Sequence, residues 1–141
     1  MALASRHIAP ALTLTWAALA ACASGDVWRL RPSPILSTGS SVPAVHVSDT
    51  MIAGATDTVA VWTRGGGCTR TVPPRITAGD LQVTIRLFDS VLVRWGDDSA
   101  SACPAVRWDA RRTAAIHFSH PGRALVRVIG SDTIDHIVVV R

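Results

Sequence analysis

The segment "LQVTIRLFDS" (81–90) alternates cleanly: Leu81, Val83, Ile85 and Leu87 fall on one side of an extended chain, and Gln82, Thr84 and Arg86 on the other. A period of two predicts a strand with one buried face. Related patterns occur in "VHVSD" (45–49), "DTVAVWTR" (57–64), "SVLVRW" (90–95), "AVRWD" (105–109), "RTAAIHFS" (112–119), "RALVRVIG" (123–130) and "IDHIVVVR" (134–141). Turn-forming clusters separate them: Gly65-Gly66-Gly67, Pro73-Pro74, Ala78-Gly79-Asp80, Gly96-Asp97-Asp98, Pro121-Gly122 and Gly130-Ser131-Asp132. From residue 43 onward no window carries a helical period. Short strands with turns every 8–12 residues or so predict an all-β, antiparallel sandwich or barrel of seven to eight strands. Parallel pairing through helical crossovers is not expected, because the segments leave no room for them.

The start of the chain is different. Arg6 and His7 are followed by an apolar run, Ile8 to Ala21, interrupted only by Pro10, Thr13 and Thr15 and closing on small residues. That is the layout of a secretory signal peptide. The run is short for a membrane span, which needs ~20 residues. Its end, Leu19-Ala20-Ala21-Cys22, resembles the lipobox of bacterial lipoproteins. The resemblance implies cleavage before Cys22 and lipid on Cys22 as the first residue of the mature chain. Ala23 after it resembles the pattern sorted to the outer membrane in cells with two membranes. The alternative is an ordinary signal peptide with a chance cysteine near its end.

If Cys22 carries lipid, Cys68 and Cys103 are left together in an exported domain, where disulfides persist. The expectation is a Cys68–Cys103 bridge with Cα atoms about 4.4–6.8 Å apart. It would pin the glycine turn to the loop after Trp95, across the 81–95 strands. Two buried free thiols are the alternative. A cysteine metal site is disfavoured, since no CxxC or cysteine–histidine cluster accompanies the pair.

Residues 23–42, "ASGDVWRLRPSPILSTGSSV", are rich in Ser, Pro and Gly and read as a tether spanning roughly 25 Å. Trp28, Leu30, Ile35 and Leu36 are too apolar for a pure linker, and some of them are expected to pack on the domain or at the membrane surface. The expected organisation is a signal peptide over 1–21, a lipidated N-terminus and tether over 22–42, and a β-domain over 43–141. "IHFSHPGRALVRVIG" followed by "IDHIVVVR" resembles the end of bacterial immunoglobulin-like domains, where a Pro-Gly turn precedes a strand of alternating valines. The resemblance implies an immunoglobulin-like β-sandwich. The inter-sheet disulfide of antibody domains has no counterpart, because 123–129 holds no cysteine. The whole is similar to small uncharacterised lipoproteins of GC-rich bacteria, which carry no assigned activity.

Composition changes the picture little. All 14 basic residues of the 141 are arginine and all 10 acidic ones aspartate, with a formal net charge of +4. The absence of Lys, Glu, Asn and Tyr fits codon bias. The arginines are scattered, Arg111-Arg112 being the only adjacent two, so nucleic-acid binding is not expected. Contact with acidic lipid or surface polysaccharide is compatible with this balance.

Candidate chemistry is sparse. No GxSxG, P-loop or HExxH motif is present. Gly65-Gly66-Gly67-Cys68 offers an anion nest or, more simply, a turn with glycines at positive φ. His117 and His120, with His46, His136, Asp132 and Asp135, offer a loose metal set without zinc-like spacing. Asp89, Asp97 and Asp98 offer oxygen ligands without an EF-hand pattern. Trp62, Trp95 and Trp108 are expected in the sandwich core, or at loops as contact residues; the parity of Trp62 points outward. No catalytic, metal or cofactor residue is assigned. The expected function is a lipid-anchored, non-catalytic binding or structural module of the cell envelope, joined to the membrane through Cys22 and meeting an envelope protein or polysaccharide. The alternatives are a ligand or metal carrier, and an enzyme with a loop-assembled site.

Overall fold

The alternating segments form strands in a computed structural model that describes residues 26–36, 43–94 and 103–141. In chain order these are β1 (Asp26–Pro32), β2 (Val45–His46), β3 (Thr50–Met51), β4 (Thr56–Gly66), β5 (Thr69–Thr71), β6 (Arg75–Ala78), β7 (Gln82–Arg86), β8 (Phe88–Arg94), β9 (Arg107–His117), β10 (Gly122–Ile129) and β11 (Thr133–Val140). No helix occurs among the described residues. The described residues are all-β and form an immunoglobulin-like β-sandwich. A sheet ordered β2-β4-β9 and a sheet ordered β3-β11-β10-β7-β6 contribute to one core, and a third sheet, β1-β8-β5, supplies none of the described residues of that core.

Alternation fills that core. Val59 and Val61 of β4, Ala114 and Ile116 of β9, Val83 and Ile85 of β7, Val126 and Val128 of β10, and Val138 and Val140 of β11 are all buried. Phe118, just past β9, is the largest fully buried side chain. Burying each Val, Ile, Leu or Phe contributes about 1.5–3 kcal/mol. Leu81 is the exception to its segment's pattern: it precedes β7 and stays exposed, against Gly122. The 81–90 segment is also two strands. At Leu87 the chain leaves the five-stranded sheet for the three-stranded one. The Leu87 N–H donates to the Ile129 carbonyl and its own carbonyl accepts from the Ser33 N–H. Conversely, 105–109 and 112–119 largely merge into β9, which pairs with β4 from Thr56↔His117 to Gly66↔Arg107.

Two ladders depart from the expected antiparallel pairing. β7 lies parallel to β10, and β3 parallel to β11. A parallel pair needs a long connection between its strands. Between β7 and β10 that connection is made by β8 and β9, which belong to the other two sheets, so no helix is required.

The expected tether differs more. Within its described part, 26–36, the chain is built into the fold. β1 pairs with β8 from Asp26↔Arg94 to Pro32↔Phe88. Ser33 is fully buried and its carbonyl accepts from the Ser131 N–H. Pro34 and Leu36 then bond along β4, through Arg64 N–H to the Pro34 carbonyl and Leu36 N–H to the Trp62 carbonyl, and Ile35 enters the core. Gly130 marks the closeness of this passage, because a Cβ there would run into the Ser33 carbonyl. β1 escapes a periodicity reading because it is an edge strand with both faces partly open, so apolar and arginine residues mix. Pro32 and Pro34 read as breakers, yet at a sheet edge a missing N–H is tolerated. Cys22 lies outside the described residues, as do positions 37–42.

Candidate functional site

Arg112 is where the strand pattern carries a charge inward. It shares the inner face of β9 with Ala114 and Ile116 and is 6 % exposed. Its guanidinium donates to Ser33 Oγ (2.6 Å), Asp89 Oδ1 (3.1 Å), the Phe88 carbonyl (2.9 Å) and the Val72 carbonyl. One side chain thus ties β9 to β8, to the N-terminal segment and to the link between β5 and β6. Burial pushes the guanidinium down from the ordinary arginine value, and the Asp89 charge opposes that shift. Asp89 is itself 2 % exposed. The pair neutralises itself, and Asp89 Oδ2 has no hydrogen-bond partner among the described residues.

Above this pair, between β1-β8-β5 and the end of the β4–β9 ladder, lies a cleft of about 450 Å³. The register explains its lining. Arg31 stands opposite Asp89, and Thr69 opposite Val91, so these four share one face of the small sheet and all line the cleft. Arg64, Gly65, Gly66 and Arg107 close it from the β4–β9 side. Arg64 makes a two-pronged bond to Asp109 across the ladder, at 2.8 and 3.2 Å. That hydrogen bond holds Asp109 below its usual carboxylate range and Arg64 above its own. Arg31 and Arg107 have no ion-pair partner among the described residues. With Asp89 neutralised by Arg112 and Asp109 by Arg64, the described residues of the cleft keep a surplus of positive charge on these two arginines.

The glycine run serves this wall by close packing. Gly65 to Gly67 are not in the left-handed region; among the described residues the glycines with positive φ are Gly54 and Gly122. A Cβ on Gly65 would run into the Trp108 ring, and one on Gly67 into the Pro104 carbonyl. Trp108 Nε1 donates to the Gly66 carbonyl at 3.0 Å. The expectation of positive φ therefore gives way to a need for space beneath Trp108.

Just beyond, Cys68 and Cys103 are joined, with Cα atoms 5.3 Å apart. Cys68 lies in the β4–β5 turn and Cys103 ahead of β9, so the bridge fastens the open end of the β4–β9 ladder beside the cleft.

Other candidates do not converge. His117 and His120 are exposed at the end of β9 and in the following turn, and His46 and His136 stand in different sheets. Among the described residues no three His, Cys, Asp or Glu side chains gather as metal ligands would. Asp97, Asp98 and Trp95 lie outside the described residues. Trp62 and Trp108 are half-buried rather than members of the core. The cleft arginines were missed because scattered positions carry no motif. Arg112 had a signal, its parity with Ala114 and Ile116. No family model, curated protein or solved structure matches this chain.

Proposed function

We propose that this chain is a lipid-anchored protein of the cell envelope, held through Cys22, whose domain is a non-catalytic module that binds an acidic envelope polysaccharide in the arginine cleft. The anchor rests on the lipobox resemblance. The binding role rests on one observation: Arg31 and Arg107 line an open cleft without carboxylate partners among the described residues. A guanidinium presents a planar fork suited to carboxylate or phosphate oxygens. The open shape suits a polymer passing through, and Val91, Pro32 and Pro34 supply apolar surface for the ring faces of a sugar.

The test is a calorimetric titration of the protein with oligogalacturonate, using neutral dextran as the control. Binding is expected for the acidic polymer alone, and should weaken as salt screens the charges. Arg31→Ala or Arg107→Ala should each weaken it about tenfold to a hundredfold, the size of one charge-assisted hydrogen bond. Equal binding of both polymers, or unchanged binding in both variants, contradicts the proposal.

A further inference from the structure

We infer that the outer face of the β1-β8-β5 sheet lies directly on the lipid headgroup layer, with Trp28 and Leu30 at the interface. The inference rests on the proposal that Cys22 carries lipid and adds an orientation to it.

The first support is chain length. β1 begins at Asp26, so only Ala23, Ser24 and Gly25 separate it from Cys22. Four residue steps span at most about 14 Å. A long tether would let the domain tumble clear of the membrane; this one holds the first residues of β1 near the headgroups whatever the rest of the domain does.

The second support is the chemistry of the face so held. By strand alternation Trp28 and Leu30 point away from the cleft, opposite to Arg31. Trp28 stands across from Leu92, and Leu30 from Ser90, which Arg70 flanks on β5. Phe88 shares this side of β8. Trp28 is 37 % and Leu30 49 % exposed, large apolar groups on an edge strand. The Arg70 guanidinium lies 4.0 Å from the Trp28 ring centroid, and Arg75 5.4 Å from that of Phe88. Along β1, β5 and β8 the carboxylates are Asp89, on the cleft side, and Asp26, the first residue of β1, which stands opposite Arg94 in the ladder. Tryptophan and arginine, each with an apolar body and a polar or charged end, are suited to a membrane–water boundary. Arginine near an anionic leaflet is also drawn to it electrostatically. With this face down, the cleft on the opposite face of the same sheet opens away from the bilayer.

The test uses the full-length chain expressed in a lipoprotein-processing bacterium. It is purified from envelopes in detergent and reconstituted into phosphatidylglycerol vesicles whose acyl chains are brominated near the headgroup. The mass of the N-terminal peptide is recorded on the same sample. Tryptophan emission should be quenched by the bromine. Trp28→Phe should lose most of that quenching, and Trp108→Phe should keep it. Leu30→Asp should also reduce it. An acylated chain whose quenching is the same with and without Trp28 overturns this orientation and leaves the anchor standing. A chain with no acyl group on Cys22 overturns the anchor and the orientation with it.

Discussion

Arg112→Ala is expected to lower the stability of the domain by about 3–5 kcal/mol, the usual cost of leaving one member of a buried ion pair without the other. Asp89 would remain nearly sealed from water with no countercharge, and three further acceptors, Ser33 Oγ and the carbonyls of Val72 and Phe88, would lose their donor. Denaturant unfolding followed by circular dichroism measures the loss. Asp89→Asn combined with Arg112→Met should recover part of it, because no unpaired charge is then left in the interior. A loss in Arg112→Ala below about 1 kcal/mol, the scale of an exposed pair, would mean that the four attachments do not hold the sheets together.

Cys68→Ser is expected to cost about 2–4 kcal/mol, chiefly by freeing the unfolded chain, and less if that chain keeps residual structure. The bridge joins positions 35 apart in sequence and fastens the β4–β9 ladder at the end that borders the cleft. Denaturant unfolding of the variant measures the cost. Alkylation of the unreduced, denatured chain should find neither Cys68 nor Cys103 reactive. Two reactive thiols at these positions, or unchanged stability in the variant, would show that the bridge is not formed.

The central part of the fold was legible because its strands have one buried face each. Val83, Ile85 and Leu87 announce themselves by period two, as do the valines of β10 and β11. The third sheet was hidden. β1 mixes Val27, Trp28 and Leu30 with Arg29 and Arg31 because neither of its faces is fully covered, and composition alone read it as tether. β5 and β6 are short strands flanking the prolines 73 and 74, where a turn is the stronger local signal. The sheet switch at Leu87 has no local marker, because it is imposed by Ser33 and Ile129 from distant parts of the chain. The parallel β7–β10 pair is equally a product of topology.

The candidate site was legible only in pieces. Gly65 to Gly67 stood out, but for conformational freedom rather than for the room that Trp108 and Pro104 require. Arg112 could have been found by extending the alternation of Ala114 and Ile116 back by one step. Arg31 and Arg107 are far apart in sequence, and only the pairing of β1 with β8 and of β4 with β9 brings them to one cleft.

The most direct test of the envelope-anchor reading is the mass of the mature N-terminal peptide, taken from the full-length chain expressed in a lipoprotein-processing bacterium and extracted from its envelope. The expected result is a chain that starts at Cys22 and carries a glyceride with fatty acyl groups, absent from Cys22→Ser. A chain that still begins at Met1, or one whose Cys22 is present without lipid, would contradict it.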